Sequence, residues 1–366
     1  MPHAPLRLFL AAATFAAALP AAAAAAAAAE TTRTLRVELP PGPFAVENLA
    51  GRMTVRPGTA DRVVVVATVH AESEALAAGF RLETLSTDEA GPTVRVRYPE
   101  REDTIRYRTA RGENDSFLLG LFGNSFQGSF SYDGRTMRVS GTRGRLLYAD
   151  VDVEVPAREV EAAFRNRVGS VSATGLSGRL SFDVASADLR LDHLKGDVRL
   201  TGSSGDVLAA DIRGSWKSDF SSGDVVLERF SGDRADFHSS SGDVRIGAME
   251  AAALSLDTSS GDLRITDSEI GDVSLHTGSG DIVVESRGRR LGRLHARTGS
   301  GDVQLRLPRE ASFDAHASLS SGDMRVGFTD GTATLRSGDM IAYRRGDGAI
   351  RIDVQAGSGN LTIDPR

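Results

Sequence analysis

Residues 241–246 read Ser-Gly-Asp-Val-Arg-Ile, and residues 260–265, nineteen positions later, read Ser-Gly-Asp-Leu-Arg-Ile. The same turn recurs along the second half of the chain, with Asp or Asn at its third position. These marker positions are Asp206, Asp224, Asp243, Asp262, Asp281, Asp302, Asp323, Asp339 and Asn360. Successive markers are 16 to 21 residues apart. A period near ~20 residues is typical of solenoids, in which each repeat buries its apolar face against its neighbours.

Each turn is followed by apolar residues at every second position. Val244 and Ile246 follow one corner, and Leu263 and Ile265 follow the next. Period-two alternation is typical of a strand that buries one face, so these four side chains are predicted core residues. Further Gly-Asp pairs fall nine or ten residues from a main turn, as at residues 232–233. We therefore predict an all-β fold, a single-stranded parallel β-helix, or β-solenoid, with about 18–21 residues per rung.

The residue types of the corner explain its repetition. Glycine adopts the positive φ that β-branched residues do not tolerate, and aspartate can accept a hydrogen bond from its own backbone two residues on. Carboxylates on neighbouring rungs would repel by ~1 kcal/mol, and Arg245, Arg264 and Arg325, each two residues after its Asp, would relieve part of this. Calcium binding is the alternative, but calcium-binding nonapeptide solenoids need a Gly-Gly-x-Gly-x-Asp spacing that single glycines do not provide. The sequence favours a structural turn column.

The first 29 residues have the pattern of a secretory signal peptide. Arg7 lies in a short basic start, residues 8–19 form an apolar segment, and the alanine run at residues 21–29 offers Ala-x-Ala cleavage sites. The chain has no cysteine, hence neither a lipid-attachment Cys nor disulfides. No later stretch has about 18 consecutive apolar residues. We expect a mature chain without a transmembrane segment, periplasmic or secreted.

Three regions follow the predicted signal peptide. Residues 30–99 show strand-like alternation, interrupted by a predicted short helix at residues 73–82. Residues 100–148 are rich in Arg, Gly and Phe and are predicted to be an insertion or a linker. Residues 149–366 contain the Ser-Gly-Asp repeats and are predicted to form the solenoid.

A second column lies five residues before each turn Asp. On four consecutive rungs its members are Asp219, His238, Asp257 and His276. Neighbouring members would lie about 4.8 Å apart, and alternating carboxylates and imidazoles at that spacing could ligate a transition metal. The other interpretation is a solvated face on which opposite charges pair across strands. The sequence favours that face, because an open strand surface rarely supplies the closed ligand shell of a metal site.

The insertion contains the candidate interaction patch. Phe117, Phe122, Phe126 and Phe130 lie among Gly and Ser residues, after several arginines. We expect these rings to cover the open end of the solenoid, where unpaired strand edges must be protected. The alternatives are an exposed patch for a partner or a membrane surface, and a flexible loop.

A family resemblance is visible in the second half of the chain. The segment from Val151 to Pro156, Val-Asp-Val-Glu-Val-Pro, followed by Ser-Gly-Asp strand repeats, resembles the bacterial "putative adhesin" β-strand-repeat family, domain of unknown function 4097. The resemblance covers residues 149–366, with weaker support from the strands at residues 44–69. It implies a repetitive β fold in an envelope protein and supplies no catalytic residues.

Composition and motifs favour binding over catalysis. The chain has no Gly-x-Ser-x-Gly elbow, Walker loop or His-Glu-x-x-His motif, and its acids recur on every rung. A formal net charge of −6 without a long basic patch argues against a nucleic-acid partner. We expect no cofactor.

The expected function is an exported, non-catalytic envelope scaffold or adhesin-like binding module whose partner is a protein or a glycan. The alternative is a glycan-processing β-helix enzyme, a lyase or a hydrolase. Acids and an arginine confined to one or two rungs would favour the enzyme, whereas a uniform face favours the scaffold.

Overall fold

The described part of the chain is all-β, as the sequence predicts. A computed structural model describes residues 30–87, 91–108 and 127–366, in which we number twenty-six strands and one short helix, α1 (Glu74–Ala78). The predicted signal peptide lies outside these residues. The first nine strands are β1 (Thr31–Leu39), β2 (Phe44–Pro57), β3 (Val63–Ala71), β4 (Arg81–Thr87), β5 (Gly91–Arg97), β6 (Thr104–Arg106), β7 (Gln127–Tyr132), β8 (Arg135–Ser140) and β9 (Arg145–Val155).

The remaining strands belong to the repeat region. They are β10 (Glu159–Thr174), β11 (Ser177–Asp192), β12 (Lys195–Ser204), β13 (Val207–Ser222), β14 (Val225–Ser241), β15 (Val244–Gly247), β16 (Glu250–Ser260), β17 (Leu263–Ser279), β18 (Ile282–Ser286), β19 (Arg293–Ser300), β20 (Val303–Leu307), β21 (Phe313–Ser321), β22 (Met324–Val326), β23 (Thr332–Arg336), β24 (Asp339–Arg345), β25 (Ile350–Ser358) and β26 (Leu361–Pro365).

Strands of the repeat region pair in parallel at a near-constant offset. Val225, for example, pairs with Val207 on one side and with Val244 on the other. From β11 to β20 the rungs follow one another in chain order. Because the register repeats, corresponding residues of successive rungs lie side by side, and every inward or outward position becomes a column along the stack.

The C-terminal repeat does not lie at the end of the stack. Strand β25 pairs in parallel with β19 on one side and with β21 on the other, and β26 lies in the same way between β20 and β22. The rungs at this end therefore do not follow one another in chain order. A rung between two others has both of its backbone edges paired, which removes two open edges at once.

Asp339 is not part of the turn column, so that prediction is wrong. Ser337 and Gly338 have φ values of +54° and +99° and form the two-residue turn of an antiparallel hairpin between β23 and β24. Positive φ at both residues is the geometry of a type I′ turn, which matches the twist of antiparallel strands. The same triplet makes a hairpin here because its flanking strands pair with each other. Strand β24 also covers residues 313–316 of β21 in antiparallel register.

The N-terminal region contributes to the same sheet. Strand β2 pairs in parallel with both β9 and β10, so it supplies a rung between two strands that are close in sequence. Strand β3 pairs antiparallel with β1 and with β9 and covers that end of the stack. A regular parallel β-helix built from residues 149–366 alone is therefore a prediction that the structure corrects at both ends.

Side chains that follow the corners are buried, as predicted. Val244 and Ile246 are each 2% exposed. Leu263 and Ile265, on the next rung, are fully buried. The single tryptophan, Trp216, is 1% exposed in the same core. Burial of alternate residues on successive rungs makes one apolar column after another along the stack.

Two backbone bends shape the rungs. At the Ser-Gly-Asp corner Gly261 has a φ of +134°, and a Cβ there would overlap the carbonyl oxygen of Gly242 on the neighbouring rung. Both conformation and space therefore require glycine. The second bend places non-glycine residues in the left-handed region, with φ of 53° at His193, 56° at Asp211 and 57° at Arg229.

Candidate functional site

The Asp column forms a continuous hydrogen-bond ladder along one edge of the stack. The backbone N–H of each member donates to the side-chain Oδ1 of its neighbour, as from Asp243 to Asp224 at 2.9 Å. The aspartate therefore bonds the adjoining rung, whereas the sequence predicts a bond to its own backbone. In spatial order the ladder runs through Asp188, Asp206, Asp224, Asp243, Asp262, Asp281, Asp302, Asn360 and Asp323.

Arginines two residues after the turn offset part of the charge of the ladder. Arg245 Nη2 lies 2.7 Å from Asp243 Oδ2, and Arg325 Nη2 lies 3.0 Å from Asp323 Oδ2. The third arginine of this pattern, Arg264, forms no ion pair with any residue that the structure describes. Charge compensation is thus present on some rungs and missing on others.

Burial shifts the pKa of the carboxyl groups where the ladder begins. Burial raises the pKa of Asp188 to about 6, and the charge of Asp206 acts in the same direction, against the hydrogen bond from the Asp206 N–H. Its Oδ2 atom is buried and accepts no hydrogen bond from the described residues. Burial, with the charge of Asp224, also raises the pKa of Asp206. The carboxyl groups at this end of the ladder therefore bind a proton more readily than exposed carboxyl groups do.

Hydroxyl groups of buried side chains donate hydrogen bonds to backbone carbonyl oxygens at the same corner. Thr258 Oγ1 donates to the carbonyl oxygen of Ser260, and Thr277 Oγ1 donates to that of Gly261, both at 3.1 Å. Buried carbonyl groups at a bend need such donors. The turn motif does not predict this column, although the sequence contains a signal for it: a Ser or Thr four residues before the turn Asp on four successive rungs. These residues are Ser239, Thr258, Thr277 and Thr298.

The second bend has no comparable sequence signal. His, Asp, Arg, Ala and Asp occupy it on successive rungs, so no residue type marks the position. Its members are His193, Asp211, Arg229, Ala248 and Asp267. A left-handed conformation at non-glycine residues costs about 1 kcal/mol each, and the pairing of the rungs on both sides maintains it.

The predicted Asp/His column is in register. Asp219 pairs with His238, and Asp257 pairs with both His238 and His276. The first three side chains are exposed and that of His276 is partly buried. A metal site needs at least three ligand atoms close together. Among the described residues, the acids and histidines that bring three ligand atoms within 4.8 Å of one another do not include these four. The geometry therefore places the four residues on one face without assembling a ligand shell.

The group that does come together is Asp192, His193 and Asp211, at the second bend. His193 Nδ1 lies 2.8 Å from Asp192 Oδ2, and its Nε2 lies 3.9 Å from Asp211 Oδ2. Arg229 donates two hydrogen bonds to Asp211, at 2.8 and 2.7 Å, and thereby lowers the pKa of that carboxyl group. Because the guanidinium already neutralises Asp211, this cluster is an ion-pair network on the surface.

A histidine cluster joins the N-terminal segment to the stack. His70 in β3 stacks on Tyr148 with ring centroids 4.4 Å apart. Its Nδ1 lies 2.6 Å from Glu30 Oε1, and its Nε2 lies 3.5 Å from Asp150 Oδ2. Burial disfavours the charged imidazole, but hydrogen bonds with Asp150 and Glu30 outweigh this effect, so the pKa of His70 is raised. Through His70, Glu30 at the start of the described chain is therefore linked to Asp150 in β9 by charged hydrogen bonds.

Three residues of the predicted interaction patch lie outside the described residues: Phe117, Phe122 and Phe126. Phe130, the fourth, lies in β7 and is partly buried against the core. The turn after β7 is tied to β5, since Asp133 accepts hydrogen bonds from Arg95 and Arg97, both at 2.9 Å. Phe130 therefore packs on the body of the protein and does not lie in an exposed patch.

A known family model matches the ladder region. The model, Toastrack DUF4097, matches residues 203–364, which is less than half of the chain. The matched segment contains the ladder from Asp206 to Asn360. Residues 203–364 are therefore similar to the Toastrack family. The Toastrack segment thus includes the inserted C-terminal repeat, whereas β2 and the antiparallel layer of β1 and β3 precede it.

Other similarities are distant. No curated protein matches the sequence. A "putative adhesin" from Bacteroides fragilis is 10% identical over 92% of this chain and 98% of its own, with a TM-score of 0.34. A "putative adhesin" from Parabacteroides distasonis is 9% identical over 92% and 97%, with a TM-score of 0.36. A "putative lipid binding protein" from the same species is 12% identical over 92% and 96%, with a TM-score of 0.35. Scores this low do not establish a common fold or function.

Proposed function

We propose that the protein is an exported, non-catalytic binding scaffold of the bacterial cell envelope, built on a β-solenoid with about 18–21 residues per rung. The Asp ladder is the observation that carries this proposal. Its side chains accept hydrogen bonds from backbone N–H groups of neighbouring rungs, so the most regular polar groups of the chain maintain the stack. Outward columns can then vary from rung to rung on a rigid support. Such a support suits an extended partner, a protein or a glycan.

The same ladder supports binding over catalysis. A glycan lyase or hydrolase needs carboxyl groups that exchange protons with the substrate. The repeated acids of this chain are engaged with the backbone on rung after rung, and no observation on the described residues favours the enzyme alternative. The resemblance to envelope proteins of the adhesin-like family supports the same class of function.

The proposed location depends on the first 29 residues, which have the pattern of a cleaved secretory signal. Within the described ranges, none of the helical structure is long and apolar enough to cross a membrane. Fractionation of cells that express the tagged full-length chain, followed by N-terminal sequencing, tests the location. We expect a mature chain that begins near Glu30 in the periplasm or the medium; an uncleaved cytoplasmic chain would contradict the proposal.

Binding and catalysis can be separated on one set of samples. The mature chain is incubated with an array of envelope glycans and with isolated envelope proteins, and bound protein and released sugar products are both measured. We expect saturable binding to at least one class of partner without release of reducing ends or unsaturated sugars. Product release that increases with protein concentration would establish the enzyme instead, and a lack of binding to every partner would remove the binding role.

A further inference from the structure

The two lysines of the chain lie on one face of two adjacent rungs. Lys195 in β12 pairs with Arg213, and Arg199 in β12 pairs with Lys217 in β13. All four side chains are exposed. The two cations of each row are four residues apart along the chain, about 13 Å for an extended strand, and the rows are about 4.8 Å apart. We call these four residues the cationic rectangle.

The four cations of the rectangle have no ion-pair partner within the part of the chain that the structure describes, although Asp236 lies opposite Lys217 on the next rung. None of its members forms an ion pair within 4 Å or a side-chain hydrogen bond there. Elsewhere on the stack cross-strand neighbours pair opposite charges, as Arg229 with Asp211 at 2.7 Å and Arg293 with Asp272 at 3.4 Å. Like charges directly opposite on neighbouring strands destabilise a sheet. Four cations are therefore grouped on one outward face of these two rungs, with Asp197 between Lys195 and Arg199.

A cleft adjoins the rectangle at Lys195. Its volume is about 420 Å³, and its walls combine the charged residues Arg158, Glu159 and Lys195 with the apolar Pro57, Pro156 and Leu176. Clefts with apolar walls and a few polar groups are the usual form of small-ligand sites. Lys195 thus lies between a cleft of the size of one or two sugar rings and a row of cations on the open face.

We propose that this face binds an acidic polysaccharide, with its carboxylates on the cationic rectangle and a sugar ring in the cleft at Lys195. The inference rests on the proposed binding function and names the chemistry of the partner. Charge complementarity favours it, because two rows of exposed cations without partners match a chain that bears an anion on successive rings.

The outward residues of these strands favour a glycan over a nucleic acid. Proteins that bind single-stranded nucleic acids combine cations with exposed aromatic rings on which bases stack. The outward positions between and beside the cations contain small or acidic side chains instead. These residues are Asp197, Thr201, Ser215 and Asp219.

Polygalacturonate and its methyl-esterified form provide a matched pair of probes, because esterification removes the charge and keeps the sugar chain. We expect the mature chain to bind polygalacturonate saturably at low salt and to bind the ester at least tenfold more weakly. Lys195→Ala and Lys217→Ala should each weaken binding about two- to fivefold. The charge reversal of both lysines to Glu should abolish it. Arg264→Ala, which removes an exposed, unpaired arginine from another face, is the control and should leave affinity unchanged.

The rarity of lysine allows a second measurement on the unmodified protein. Acetylation by an N-hydroxysuccinimide ester reaches the two lysines and the α-amino group, and mass spectrometry reads each site separately. Bound polygalacturonate should protect Lys195 and Lys217 from acetylation and should leave the α-amino group reactive.

Several outcomes would overturn this inference. They are equal binding of the charged and esterified probes, an equal loss of affinity in Arg264→Ala, unprotected lysines in the bound state, or tighter binding of single-stranded DNA than of polygalacturonate. If the Lys→Glu variants bind some other partner on the envelope array as well as the unmodified chain does, the proposed binding function stands and this assignment of its partner falls.

Discussion

At the scale of single residues, the hydrogen bond from one rung to the next explains why Asn360 can occupy a column of aspartates. Both side chains offer an oxygen to a backbone N–H, and the amide adds a donor, since Asn360 Nδ2 donates to Asp302 Oδ1 at 3.2 Å. The oxygen is therefore essential to the corner and the negative charge is not. Burial disfavours the ionised form of a carboxyl group because it removes water from the charge, and it raises the pKa of Asp188 for this reason.

We expect Asp188→Asn to stabilise the protein above neutral pH. The folded pKa of Asp188, about 6, exceeds the unfolded value of ~3.9. The folded state therefore binds the proton more tightly, and the stability from this group is lost as pH rises from ~4 to ~6. Asparagine keeps the acceptor and removes the buried charge, so the free energy of unfolding should rise by about 1 kcal/mol at pH 7.5 and change little at pH 4.

Thermal unfolding of Asp188→Asn between pH 4 and pH 8 measures this effect. Asp243→Asn is the matched control, because Asp243 is less buried and is paired with Arg245 at 2.7 Å. The control should show no gain at any pH. A similar gain in both variants would mean that repulsion along the whole column, and not burial at its first member, determines the cost.

The core column can be tested at Ile265, which is fully buried between neighbouring rungs. Ile265→Ala should lower the free energy of unfolding by about 2–4 kcal/mol, because it removes apolar contacts and leaves a cavity that the stacked rungs cannot collapse around. Denaturant unfolding gives the value. Leu208→Ala, at a side chain that is 44% exposed, should cost much less. Equal costs would show that the inward and outward faces are assigned incorrectly.

At the scale of strands, each end of the stack is closed by antiparallel pairing. Strand β3 covers β9 at one end, and β24 covers part of β21 at the other. An uncovered parallel rung would present a row of unpaired backbone groups to any other chain. The inserted position of β25 and β26 also protects the C-terminus, because a strand paired on both edges does not fray as a terminal strand does.

Amide hydrogen exchange distinguishes the inserted rung from a rung in chain order. Strand β25 pairs on both edges, so its amides should be as well protected as those of β19. Strand β23, whose residues are all exposed, should exchange faster by orders of magnitude. If β25 formed the outermost rung, alternate amides along its open edge would exchange quickly, and that result would contradict the inserted order.

At the scale of the whole molecule, the stack depends on both ends of the chain. Strand β2 fills a position between β9 and β10, and Phe44 in β2 packs edge-on against Phe164 in β10 with ring centroids 5.9 Å apart. The histidine cluster joins Glu30 to β9. The repeat region therefore lacks one of its rungs unless the N-terminal segment is present.

We expect residues 149–366, expressed alone, to be less stable than residues 30–366. Without β2, strands β9 and β10 lose the parallel partner that lies between them, and apolar side chains such as Phe164 become exposed. The fragment should unfold at a lower temperature and associate in analytical ultracentrifugation. A monomeric fragment with the same unfolding temperature as the longer chain would show that the repeat region is an independent domain.

The sequence by itself determined the rung. The corner and the alternation after it are local properties: Gly261 adopts a positive φ, and Leu263 is buried as the first apolar residue after the corner. The all-β class and the core positions therefore follow from the local pattern. The parallel register of Asp219 and His238 follows from the spacing of the repeats. The tertiary structure alone decided which rung lies on which. Backbone edges of successive rungs are nearly alike and carry little sequence information, so nothing local places β25 between β19 and β21 or β2 between β9 and β10. Tertiary structure also decided that the triplet ending at Asp339 forms a hairpin, because the strands on either side of it pair with each other. The pairing of Lys195 with Arg213 likewise depends on the offset between two rungs.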